Sequence, residues 1–225
     1  MKQFILALTI SLIGHSVSSG TPVDEPAVCP VGGETFTVVG TLSCSFRGRN
    51  LLFAQDSSCN FITRLPICPS NGLPVYKAFS EGEIEHLESW VETPAFAALK
   101  ELPPWRRAYE VERNLNQAET SVTFGIMLGA YWYDTTATLE DEEMFSLFIS
   151  EAAAEYDRAP AENRPFMDAM LGYAWQLKGN QDLANTHLMR AQQASDDAYL
   201  QSYVEKIRSC AAQMDAFECL PSSGF

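Results

Sequence analysis

The sequence predicts an α+β chain, mainly α, in which a small disulfide-stapled β region precedes a longer stack of paired helices. Three observations carry this. Four of the six cysteines fall between residues 29 and 68, among short runs of β-branched and aromatic residues. The character changes at Ser80, after which apolar residues recur at helical spacing as far as Cys210. Hydrophobic residues make up 46% of the 225-residue chain, which is enough for a real core and too many for a disordered one.

The elements follow in chain order. Met1-Lys2-Gln3 is a short positive start, Phe4 to Ile13 an apolar run, and Val17-Ser18-Ser19 a set of small residues suited to cleavage. Residues 1–19 therefore read as a secretory signal, its apolar run too short to span a bilayer. No second long apolar run follows, so no transmembrane segment is expected after signal removal. The expected location is periplasmic or extracellular. Residues 20–28, with Pro22 and Pro26, read as a flexible leader.

Residues 29–79 form the expected β module. Glu34 to Val39, Phe61 to Leu65 and Val75 to Lys77 are its strand candidates. Six cysteines in an exported chain favour three disulfides, although spacing alone allows many connectivities. Cys44 and Cys59 flank a polar excursion and are expected to pair, closing a loop of about 15 residues for about 3 kcal/mol of stability in the chain-entropy model. Cys210 and Cys219 would be about 13 Å apart along a continuous helix. Their pairing requires the last helix to break between them. A zinc site built from Cys29, Cys44, Cys59 and Cys68 is the rival reading, weakened by the lack of any C-x-x-C pair.

Cys29-Pro30-Val31-Gly32-Gly33 and Cys68-Pro69-Ser70-Asn71-Gly72 share a C-P-x-x-G form. The form resembles the C-P-x-C-G knuckle of a zinc ribbon, with Gly32 and Asn71 standing where the second thiolate would be. Two thiolates per knuckle are needed for a tetrahedral zinc site, so no metal or other cofactor is expected. In a ribbon the knuckles face each other, and the resemblance implies a Cys29–Cys68 disulfide in place of the metal.

Residues 80–219 form the expected helical domain, and 220–225 a tail. Ser80-Glu81-Gly82-Glu83 matches a capping box, and Pro94 and Pro103-Pro104 mark further starts. Helices are expected near 80–92, 94–101, 103–117, 119–137, 139–158, 161–178, 180–194 and 197–210. The unit 165–198 resembles a tetratricopeptide repeat. Leu171-Gly172 holds that family's Leu-Gly pair, Trp175 the large aromatic position, and Gly179 the turn glycine. Ala184, Leu188 and Ala191 take the small, apolar and small positions of the second helix. The early Trp and closing Pro positions hold Asp168 and Asp196 instead. A looser copy starts at Val122, with Leu128-Gly129 and Trp132, but lacks the turn glycine and carries an insertion before Met144. The whole build resembles uncharacterised bacterial proteins with a ribbon-like start and such helices, a resemblance that implies no activity.

The formal charge of −14 disfavours nucleic acid and anionic membrane surfaces, which would repel the chain. No G-x-S-x-G, H-E-x-x-H, phosphate loop or calcium loop occurs. Glu83-Ile84-Glu85-His86 has an E-x-x-H spacing without a matching second copy, since His187 follows Ala184. The acidic run Glu140 to Glu143 suits a helix N-terminus better than a reaction centre. Tyr131-Trp132-Tyr133 cannot all face one core stripe; the resemblance to the repeat family implies that Trp132 is inside, which leaves Tyr133 for a surface. The resemblance to tetratricopeptide arrays implies a concave face bearing Phe166, Tyr173 and Gln176, joined by Tyr133 from the weaker unit. The expected function is a non-catalytic interaction or scaffold module of the cell envelope, with a protein or peptide partner on that groove. The alternatives are an envelope hydrolase using acids of the helical domain, and a structural spacer.

Overall fold

The computed structural model describes residues 20–116 and 121–222; the expected signal at 1–19 lies outside them. The fold is α+β, mainly α, with two small antiparallel sheets at the N-terminal side and helices after them. Strand β1 (Thr21–Val28) pairs with β2 (Thr35–Ser43), and β3 (Phe46–Arg49) pairs with β4 (Gln55–Ser57). The leader expected at 20–28 is thus a strand. Its two prolines lie four apart, so both nitrogens point to the same side, and an edge strand can turn that side away from its partner.

The two C-P-x-x-G segments fold alike. Cys29 N donates to Glu34 O at 2.8 Å and Cys68 N to Leu73 O at 2.9 Å, the same five-residue closure in each. Gly33 (φ +67°) and Gly72 (φ +79°) take the left-handed turn that each closure requires. The Asn71 amide donates to Val31 O at 3.3 Å, and Glu34 accepts from Ser70 N at 3.0 Å, so side chains tie one segment to the other. Cys29 pairs with Cys68, Cys44 with Cys59, and Cys210 with Cys219.

Two expected strands are not strands. Thr63 lies against β2, its N donating to Val39 O and its hydroxyl accepting from Val39 N, but Phe61 to Leu65 forms no ladder. Near Val75 to Lys77 only an isolated Ile67–Pro74 bridge forms. There Tyr76 and Lys77 are committed elsewhere: both bind the buried carboxylate of Glu112, at 2.9 and 2.7 Å.

The helices are α1 (Glu81–Trp90), α2 (Pro94–Leu99), α3 (Pro104–Leu115), α4 (Ser121–Tyr133), α5 (Thr135–Glu140), α6 (Glu142–Arg158), α7 (Arg164–Leu177), α8 (Gln181–Ala194) and α9 (Ala198–Cys210). Their starts follow local chemistry. Ser80 and Glu83 form the reciprocal capping box of α1. Thr93, Asp141, Asn180 and Asp197 cap α2, α6, α8 and α9 with side-chain oxygens. The expected helix 119–137 breaks at Asp134 into α4 and α5, and its first two positions lie outside the described residues. Gly179 (φ +76°) makes the α7–α8 turn, and Gly172 lets the pair close, since a Cβ there would sit 2.6 Å from Leu188.

Both hydrophobic clusters cross from β region to helices. Cys29, Val31, Cys68 and Leu73 pack with Leu87, Val91, Phe96 and Val111. Leu51, Leu52 and Ala54, from the β3–β4 turn, join the larger core of α3 to α9. The β region therefore has no apolar interior separate from the helices.

Candidate functional site

The face of α7 expected to line a groove is where the chain folds back on itself. Phe166, Tyr173 and Gln176 do share a face, as their spacing requires. Most of it is covered. Tyr173 is 0% exposed, and its hydroxyl donates to Cys219 O at 2.8 Å. Gln176 is 3% exposed, and its Nε2 donates to Ile207 O at 2.9 Å. Helix α9 ends at Cys210, and the Cys210–Cys219 bridge pins the following turn across these residues. Tyr173 and Gln176 are thus core residues and not groove residues. Burial pushes the Tyr173 hydroxyl well above its ordinary range.

The other end of the same face meets the β3–β4 turn. Asn50 Oδ1 accepts from Leu52 N at 3.1 Å and Ala54 N at 3.0 Å, which shapes the turn locally. Phe53 adopts φ +65°, a conformation that disfavours a bulky residue. Its ring is taken up by Tyr203 (centroids 4.4 Å), Phe166 (5.7 Å) and Tyr199 (6.3 Å), all edge-on. The backbone is captured too: Trp132 Nε1 donates to Leu52 O at 2.9 Å, and the Tyr203 hydroxyl donates to Leu51 O. The helical surface is already occupied by a peptide turn, held by side-chain donors on its carbonyls and by rings around its aromatic residue.

Beside that turn a cleft of about 380 Å³ stays open. Phe124, Leu128, Phe166, Met167 and Tyr199 line it, with Arg49 at its rim. Its size falls in the range of ligand pockets, and its walls are apolar with few polar groups. Phe166 is the one sequence-predicted groove residue that borders it. Phe53 and Tyr199 were missed because they reach it from a β turn and from α9, far from α7 in sequence.

Tyr133 lies elsewhere. It is 45% exposed and stacks near Trp105, with centroids 6.3 Å apart. Among the three adjacent aromatics the fully buried one is Tyr131, against Phe148 at 4.6 Å; Trp132, expected inside, is half-buried over the β turn.

A polar cluster forms around Asp168 on α7. Asp168 is 1% exposed and accepts from the Tyr156 hydroxyl at 3.0 Å. It also pairs with His187 Nδ1 at 2.8 Å and Arg190 at 3.1 Å. One carboxylate thereby joins α6, α7 and α8. A cleft of about 390 Å³ lies over it, and none of its described lining residues is Ser, Thr or Cys. The arrangement satisfies a buried charge. The other candidates for chemistry are likewise engaged: Glu83 in its cap and with Lys77 at 2.7 Å, His86 with Asn114 at 2.7 Å, and Asp141 in the cap of α6. No described helix is long and apolar enough to cross a membrane. Comparison with protein-family models, with curated proteins and with solved structures finds no match to this chain.

Proposed function

We propose that this chain is an exported, non-catalytic interaction module of the cell envelope. In this reading it holds a peptide segment of a protein partner in the cleft bordered by Phe166. The occupant is an apolar segment with an aromatic or long aliphatic anchor. One observation carries the reading: the adjoining stretch of the same helical surface holds the chain's own turn, through its carbonyls and the ring of Phe53. A surface with that chemistry suits a second peptide of the same kind. The three disulfides and the signal-like residues 1–19 favour an oxidising compartment, periplasmic or extracellular. The N-terminal part is read as a ribbon in which sulfur cross-linking has replaced a metal, and the α7–α8 hairpin as a unit of tetratricopeptide type. A photo-crosslinking residue at position 166 tests the proposal. It is expected to trap one protein in the native envelope, and adding Leu128→Glu is expected to abolish the adduct. An adduct indifferent to Leu128→Glu would refute the cleft.

A further inference from the structure

A second hollow differs in chemistry from the Phe166 cleft and lies on the far side of Trp132. It measures about 530 Å³. Its floor is aromatic: Trp105 from α3 and Tyr133 from α4 lie nearly parallel, 20° apart. Gly129 makes this possible, because a Cβ there would sit 2.6 Å from the Trp105 ring. The Arg64 guanidinium covers Tyr133 at 4.7 Å and donates to Cys59 O at 3.2 Å, which fixes it as a wall. Another hollow of about 410 Å³ borders the same rings and Trp132.

The polar lining combines amides with Arg64 and the hydroxyl residues Thr135 and Ser222. Asn50, Gln55 and Asn60 border the hollow. Asn50 spends its oxygen on the turn, and its Nδ2 makes no hydrogen bond with the described residues. Nor do the side chains of Gln55 and Asn60, the Trp105 indole N–H or the Tyr133 hydroxyl. Although the chain has 29 Asp and Glu, none among the described residues lines either hollow.

We propose that this hollow binds an uncharged oligosaccharide. An aromatic face carries negative π density, on which the C–H face of a sugar ring settles; with Arg64 over Tyr133, the ring offered is that of Trp105, against which Tyr133 stacks. Amides offer donors and acceptors together, as hydroxyl groups require, and Arg64 adds further donors. A basic segment would find no described carboxylate here, and a polyanion would meet the long-range repulsion of a chain of charge −14, offset only by Arg64 and by a Lys77 already paired with Glu83 and Glu112. A proline-rich segment would use the rings but offers the amide oxygens no donors.

The test is a titration of the full-length oxidised protein with cellotetraose, chitotetraose, maltotetraose and xylotetraose, and separately with a proline decapeptide. The readout is the Trp105 indole N–H resonance. At least one tetrasaccharide is expected to shift it at millimolar concentration or below. Tyr133→Ala and Asn60→Ala are each expected to weaken that binding about tenfold. Asn60→Ala removes only an exposed amide, so its melting temperature should stay unchanged. Phe166→Ala should leave sugar binding intact, which separates this site from the peptide cleft. Silence from all four sugars would overturn the proposal, as would binding that Tyr133→Ala and Asn60→Ala leave unchanged. A response to the decapeptide alone would assign the hollow to proline-rich segments instead.

Discussion

At the C-terminal end of α7, Tyr173 and Gln176 disappear beneath α9 and a disulfide-pinned turn; at the N-terminal end, Phe166 borders an open cleft. The helix and the face are the same, and only the covering differs. Helical periodicity decides which residues share a face, whereas segments far away in sequence decide how much of that face meets solvent. Substitutions along α7 should therefore divide into those that unfold the protein and those that leave it folded without a partner.

The largest effect is expected at Tyr173. Tyr173→Ala removes a fully buried ring and its bond to Cys219 O, and should cost about 3–5 kcal/mol in denaturant unfolding. An unchanged midpoint would mean that the two ends of α7 do not differ. Replacing Cys210 and Cys219 together by Ser should cost about 2–3 kcal/mol for a loop with a sequence separation of 9. It should also raise hydrogen exchange at residues packed under the turn. Gln176→Ala leaves Ile207 O without its side-chain donor and should cost about 1–3 kcal/mol.

A smaller effect lies outside α7. The Lys77 ammonium and the Ser80 backbone N–H hold Glu83 down at about 2, from an ordinary 4.5. Because the folded value is depressed, this stabilisation is present above pH 4.5 and is lost as pH falls toward 2. The melting temperature of wild type should fall over that window by more than that of Glu83→Gln.

Local chemistry was legible in the sequence. Ser80 with Glu83, the prolines that open α2 and α3, and Gly179 each act within a few residues, and each lies where its pattern indicates. The cysteine pairs also match their reading, because the two C-P-x-x-G segments repeat one turn and Cys210 ends a helix. What escaped was decided at long range. Residues 20–28 become a strand only because β2 is there to pair with them. Val75 to Lys77 has strand-like composition, yet its side chains are drawn to Glu112 on α3. The burial of Tyr173 and Gln176 depends on residues 207 to 219, and the Phe166 cleft depends on Phe53 from a turn more than a hundred positions earlier. No periodicity within α7 carries that information.

The most direct test compares Phe166→Ala with wild type, using the partner trapped from position 166. Partner affinity and melting temperature are measured on the same samples. Affinity should fall about tenfold, while the drop in melting temperature should correspond to no more than the loss of a half-buried ring, about 1 kcal/mol of stability. Unchanged affinity, or a collapse in stability like that expected of Tyr173→Ala, would contradict the open cleft as the working end of this helix.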